Sequence, residues 1–215
     1  MSNGLSRADL WSAAHAERAA LADDLAGLDQ AQWAQRSLCG QWVVQDVVAH
    51  LTAAASLGPL RWFASVLGAR FDFDVHNDRR LAGHRGSTPA ETLERYRRII
   101  TSTTSPLGPT AAWLGEVVVH AQDIRRPLGL THTPSIEVVG AVGRFYAGRN
   151  FTGFGRGTIE GLRLEATDGS FSCGAGPLVS GTTLALTMAM AGREAYCDDL
   201  AGPGLATLRA RCKPA

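Results

Sequence analysis

Apolar residues in the first two thirds of this chain recur every three to four positions, and only in the last third does a brief every-second-residue alternation appear. The first spacing is that of an amphipathic helix and the second that of a half-buried strand. Leu10, Ala14, Leu21 and Leu25 form the first helical stripe, opened by Ser6-Arg7-Ala8-Asp9 (an N-cap with an acid at N3) and stopped by Gly27. A polar connection holding Trp33 and the turn residues Cys39-Gly40 leads into WVVQDVVAHLTAAASLG, where Val43, Val47, Leu51 and Ala54 stay in phase up to Gly58-Pro59. A continuation past that proline through Trp62 and Leu67 is left open. Residues 68–86 lack a steady period and read as a long loop. Thr88-Pro89-Ala90-Glu91 then predicts a third helix, with Thr88 as N-cap, Pro89 at N1 and Glu91 closing a capping box, running to about residue 105. Gly108-Pro109-Thr110 opens a fourth, amphipathic through Trp113, Val117 and Ile124 and ended by Pro127 and Gly129.

Four helices on short to moderate connections predict an antiparallel four-helix bundle. A further helix is expected over residues 134–148. GRNFTGFGRG then shifts the composition toward glycine and arginine, and the domain boundary is placed there: 1–150 as the helical bundle with an extra helix, 151–215 as a small α+β domain. In the latter, IEGLRLEATDGSFSCG alternates around Asp168-Gly169, a hairpin dipeptide, and short helices are expected at 184–191 and 205–210. The fold class is therefore mainly α.

Charge narrows the partners. The 215 residues carry a net charge of +1 with acids and bases interspersed, which gives no footprint for nucleic acid or an anionic membrane. Lys213 is the sole lysine and sits at the tail, so Schiff-base and pyridoxal chemistry are not expected. Cys39, Cys173, Cys197 and Cys212 show no C-x-x-C spacing, and the N-terminus lacks the apolar run of a signal peptide; a cytoplasmic protein with reduced thiols and no membrane role is expected. Gly153-x-Gly155-x-Gly157 lacks the spacing and preceding strand of a nucleotide loop.

Candidate chemistry lies on the second and fourth helices. EVVVHAQD places Glu116, His120 and Asp123 near one face, and Trp42, Asp46 and His50 follow one another at four-residue intervals. If the two helices are neighbours, His50, Glu116 and His120 supply two nitrogens and a carboxylate oxygen, three ligands of an open zinc site, with Asp46 and Asp123 orienting the imidazoles through their other nitrogens. The same spacing equally suits three core residues that only hydrogen-bond one another, so the residues by themselves leave metal and no metal open. The pattern is not H-E-x-x-H, which removes zinc-protease chemistry. His15, His76, His84 and His132 lack ligand spacing, with His76 and His84 able to line the mouth of a pocket. Cys39 reads as a packed turn residue, and Trp42 and Trp113 as the tryptophans nearest a metal chamber.

C-G-Q-W-V-V-Q-D-V-V-A-H-L from Cys39 to Leu51, E-V-V-V-H-A-Q-D-I from Glu116 to Ile124, and the stretch from Val179 to Leu208 together resemble the mycothiol-dependent maleylpyruvate isomerase family of the DinB-like superfamily. The resemblance implies a DinB-like metal-binding bundle followed by a small α+β domain. It implies Zn2+, or another divalent metal, held by His50, Glu116 and His120. It departs from the family at Val43, where Ser or Thr commonly caps the helix. It further implies mycothiol as cofactor, bound as thiolate and added to a small electrophile, either for cis–trans isomerisation of a maleylpyruvate-like substrate or for S-conjugation. Arg193, in the family-like Gly192-Arg193 step, is expected as the active-site arginine that holds a carboxylate. Arg149, Asn150 and Arg156 are weaker candidates for contacting the cofactor. The expected partners are thus a low-molecular-weight thiol and a small electrophile, with the chain a monomer or homodimer. The alternative is a noncatalytic DinB-like protein that binds a metal or small ligand.

Overall fold

A computed structural model describes residues 4–56, 58, 81–105, 108–151 and 154–212. His76, Gly153 and the extension through Trp62 and Leu67 lie outside the described residues, as does most of the expected loop, whose described end is helical at 81–84. The chain folds as two compact units, one comprising Trp11–Thr131 and the other Met1–Leu10 with His132–Ala215.

Helix α1 spans Arg7–Ala26 and is capped as the sequence predicts: the Ser6 N–H donates to Asp9 Oδ2 at 3.0 Å and the Asp9 N–H to Ser6 Oγ at 3.2 Å. A short α2, Gln30–Trp33, escaped the periodicity because one turn has no period to show. Its Asp29 and Gln32 cap each other's backbone and seat Trp33 in the core. Helix α3 is Val44–Ala54, α4 Pro89–Arg97 and α5 Thr110–Leu128. Packing of α3 against α4 and α5 buries Leu21, Leu25, Val47, Leu51, Tyr96 and Ile124 in one cluster.

The helix ends have identifiable causes, some local and one distant. Val43 has no side-chain acceptor, and Asp46 supplies a side-chain bond at the start of α3, accepting the Val43 N–H at 3.1 Å. Thr88 Oγ1 caps α4 by accepting the Glu91 N–H at 3.2 Å, while Glu91 bonds Ser87 rather than closing the expected box on Thr88. The third helix ends near Arg97, earlier than expected. The next turns tighten to i→i−3 bonds, and their carbonyls are drawn by the buried Arg18, whose Nη1 donates to Ser102 O at 2.7 Å and Ile99 O at 3.3 Å. At the end of α5, Gly129 adopts a left-handed φ of 67° so that Leu130 N–H reaches Arg125 O. Pro127, one turn earlier, has no N–H to give to Asp123 O; that oxygen instead accepts the Leu38 N–H at 3.0 Å. A buried ion pair completes the unit, Arg125 Nε lying 2.7 Å from Asp24 Oδ2 with Glu17 at 3.6 Å from Nη1.

In the second unit α6, Ile136–Gly148, is capped by Ser135 and packs along α7, Thr183–Met190. The approach is close: a Cβ on Gly143 would meet Thr187 Oγ1 at 2.9 Å. This packing places the extra helix with the C-terminal unit, whereas the sequence reading had put it with the bundle. Strands β1 (Asn150–Phe151) and β2 (Phe154–Gly155) form a small antiparallel pair. β3 (Arg163–Ala166), β4 (Ser172–Gly174), β5 (Leu178–Gly181) and β6 (Leu200–Ala201) form a sheet of order β4-β3-β5-β6. The expected hairpin joins β3 to β4 with Glu165 opposite Ser172, and β5 runs parallel to β3. Asp168 in its turn accepts from the N–H and hydroxyl of Thr183 at 2.8 and 2.6 Å, tying the hairpin to the start of α7. A 3-10 segment, Glu194–Asp199, and α8, Leu205–Arg211, follow. The molecule is thus mainly helical with a small C-terminal sheet, as expected.

Candidate metal centre

Glu116, His120 and Asp123 occur at i, i+4 and i+7 of α5, and α3 brings His50 to meet them. His50 Nε2 lies 2.6 Å from Glu116 Oε1, and His120 Nε2 lies 3.6 Å from the same oxygen. The two imidazoles meet edge to face, 4.9 Å between centroids, and the indole of Trp42 stands 4.9 Å from His50. The three side chains are mostly buried, with 19, 17 and 12 % of the surface of His50, Glu116 and His120 exposed, so the cluster is sheltered yet reachable.

Buried Asp123 carries the orientation of the set. Its Oδ2 accepts the Nδ1–H of His120 at 2.9 Å, which fixes the proton on Nδ1 and turns Nε2 toward Glu116 and His50. The electrostatics agree. Burial disfavours the Glu116 carboxylate, but the adjacent His120 and His50 outweigh it and hold the group well below the ordinary range. Burial likewise disfavours the His120 imidazolium, but Glu116, Asp123 and Cys39 outweigh that and hold it well above its ordinary value.

A divalent cation fits these donors on chemical grounds. Ligand atoms of His50, Glu116 and His120 all lie within 4.8 Å of one another, and two imidazole nitrogens with a carboxylate oxygen are a donor set that zinc takes; the 2.6 Å contact between His50 and Glu116 would open as both atoms turned to an ion. Glu116 also lines a narrow cleft with Arg18, Leu51, Thr104 and Trp113. The Trp113 Nε1 is buried there without a hydrogen-bond partner among the described residues. A larger cavity of about 420 Å³, walled by Leu25, Trp33, Pro89 and Leu93, contains none of the predicted site residues.

Other predicted residues are placed differently. Asp46 does not orient an imidazole; its carboxylate caps α3 and pairs with Arg85 Nη1 at 2.6 Å. Arg193, in the second unit, donates from Nη1 to Ala191 O at 2.6 Å. Arg149 is exposed, its guanidinium 5.1 Å from the centre of the Phe145 ring. Asn150 Oδ1 accepts the Gly157 N–H at 2.7 Å, and Arg156 is exposed. Two residues near the cluster were passed over. Arg18 was legible as a charge on the apolar stripe between Ala14 and Leu21. The approach of Cys39 to His120 had no sequence signal.

Bundle and sheet together define a mainly helical protein with a histidine–carboxylate centre at the meeting of two helices. Comparison adds a family likeness: residues 14–112, a little under half of the chain, match the mycothiol maleylpyruvate isomerase N-terminal domain. The match includes Cys39 and His50 and stops short of Glu116 and His120. A crystal structure of a mutant mycothiol-dependent maleylpyruvate isomerase resembles the chain with a TM-score of 0.60 at 15 % identity, over 93 % of each chain. Another of the mycothiol-dependent maleylpyruvate isomerase gives 0.58 at 13 % over the same shares. At these identities the likeness extends the fold over nearly the whole chain. No curated protein matches the sequence. Among the described residues no helix is long and apolar enough to cross a membrane.

Proposed function

We propose that this protein is a metal-dependent thiol-transfer enzyme, with zinc as the ion and mycothiol as the thiol, acting on a small electrophile by cis–trans isomerisation of a maleylpyruvate-like substrate or by S-conjugation. The observation that carries the reading is the two-sided imidazole of His120, with Nδ1–H committed to Asp123 and Nε2 turned to Glu116 and His50. A divalent cation held by these residues would keep a bound thiol deprotonated, and thiolate is the nucleophilic form.

The protein's own groups then have distinct work. Asp123 keeps the Nδ1 proton in place and so keeps the Nε2 lone pair available. Glu116 supplies negative charge beside both imidazoles, and Trp42 shields His50 from water on one side. Arg193 is proposed to bind a substrate carboxylate, and Arg149, Asn150 and Arg156 to contact the thiol's hydroxyl groups, on residue chemistry and the family resemblance.

The test is metal analysis by plasma mass spectrometry on protein purified without a metal column, paired with turnover of maleylpyruvate with and without mycothiol. Close to one zinc per chain in the wild type, lost in His50→Ala together with thiol-dependent turnover, is the expected outcome. Zinc without thiol-dependent turnover on any of several electrophiles would replace the enzyme by a noncatalytic metal-binding protein. No metal, even after zinc is offered, would reduce the cluster to a hydrogen-bonded core.

A further inference from the structure

His120 has neighbours on both edges of its ring. On the Nε2 side are Glu116 and His50; on the Nδ1 side is Asp123, and the half-buried thiol of Cys39 stands close to both His120 and Asp123. The ligand atoms of Cys39, His120 and Asp123 lie within 4.8 Å of one another, a second group beside the first. The thiol-transfer reading gives Cys39 no task.

Its position is built rather than incidental. The Cys39 N–H donates to Ser37 Oγ at 3.0 Å and Cys39 O accepts from Trp42 N–H at 3.1 Å, closing a turn in which Gly40 takes a left-handed φ of 58°. That turn is docked on α5 at two points: Leu38 N–H on Asp123 O at 3.0 Å and Gln35 Nε2 on Pro127 O at 2.9 Å. One sulfur, one imidazole nitrogen and one carboxylate oxygen form a softer donor set than His50, Glu116 and His120, because thiolate prefers thiophilic ions. Bonds of about 2.3 Å to sulfur and 2.0–2.1 Å to nitrogen give a spacing that three atoms so grouped can reach by side-chain rotation.

We propose that Cys39, His120 and Asp123 form a second cation site, selective for thiophilic divalent ions, which competes with the His50–Glu116–His120 site for a single imidazole. Binding forms bonds from the ion to sulfur, Nδ1 and a carboxylate oxygen, with no change of oxidation state. The thiol proton and the Nδ1 proton pass to solvent, and the ring keeps its remaining proton at Nε2, on the side of Glu116. A ring protonated at Nε2 has no lone pair there, so an ion on the Cys39 side denies His120 to the other site. Occupation by a soft ion would therefore inhibit any activity that depends on the first site. The binding itself does not rest on the proposed enzymatic function.

Cadmium ion is the probe, titrated into the full chain while thiolate-to-cadmium charge-transfer absorption and bound cadmium are followed in wild type, Cys39→Ser, Cys39→Ala and His50→Ala, each checked for a native thermal transition. The expected result is an absorption band of one thiolate in wild type, retained in His50→Ala, absent in both Cys39 variants, with cadmium affinity at this site at least tenfold weaker in Cys39→Ser. In zinc-loaded wild type the band should grow as zinc is released. A band unchanged in Cys39→Ser assigns the ion to another thiol and overturns the proposal, as does a band that is missing in wild type or lost in His50→Ala. Zinc retention by His50→Ala would count against the proposed function alone, since the cadmium band does not involve His50.

Discussion

Replacing Asp123 by Asn keeps the shape of a fully buried side chain and removes its charge. The amide oxygen can still accept the Nδ1–H of His120, so the bond at 2.9 Å survives as a neutral one and loses the charge assistance that makes such bonds worth about 1.5–3 kcal/mol. Loss of a carboxylate that orients a metal-bound histidine costs about 10–100-fold in metal affinity, which at about 1.4 kcal/mol per tenfold is about 1.4–2.8 kcal/mol, the same range reached from the bond itself. A second effect has the opposite sign. Asp123 is one of the groups that hold the His120 imidazolium together against burial, so Asn makes the proton easier to displace and offsets part of the loss at low pH. Zinc affinity measured against a chromophoric chelator should therefore fall most at alkaline pH, where His120 is neutral in both forms, and less at acid pH. A variant that melts normally and binds zinc within about twofold of wild type at alkaline pH would refute the orienting role.

Other outcomes follow from the same geometry. Because burial is outweighed at His120 and the imidazolium persists above its ordinary range, zinc uptake at neutral pH should release a proton, seen in weakly buffered solution, and apparent affinity should rise about tenfold per pH unit until His120 is neutral. In the metal-free protein, the imidazolium contributes stability that is fully present below pH about 6.5 and lost as pH rises through the raised His120 value, so its melting temperature should decline on that side. Arg125→Met strands Glu17 and Asp24 beside a fully buried position and should cost about 3–5 kcal/mol in urea denaturation; a loss under about 1 kcal/mol would deny the ion pair a structural role. Asp168→Ala removes both bonds to Thr183 and should lower stability by about 1–3 kcal/mol while leaving zinc content unchanged, as metal analysis of the same sample would check.

What was legible in the sequence was local. The Ser6–Asp9 cap, the Thr88 cap and the end of α5 at Gly129 depend on residues within a few positions, and helical spacing alone aligned Glu116, His120 and Asp123. The meeting with His50 needed only that α3 and α5 be neighbours. Two requirements compete for the Asp46 carboxylate: three residues beyond a cap lacking its own acceptor, it takes up the Val43 N–H and pairs with Arg85, contacts that a reading for imidazole partners does not display. The third helix was read too long because its shortening depends on Arg18, some eighty residues earlier in the chain. β5 and β6 have four and two residues, too few for an alternation to register. Cys39 beside His120 could not be foreseen, since that proximity depends on a turn docking against a helix far along the chain.

Pro127 ends α5 in the sequence, yet its larger consequence lies eighty-nine positions upstream. By withholding an N–H, it leaves the Asp123 carbonyl to Leu38, and the turn so moored carries Trp42 to one histidine and Cys39 toward the other. A residue that touches neither imidazole thus sets the seating of both. Alanine at 127 would be the better helix former by ordinary propensity, and a stability-guided redesign would choose it, giving the helix a rival claim on that carbonyl. The stiffer helix would come with a looser moor, and the cost would be read in the seating of the two imidazoles rather than in the melting curve.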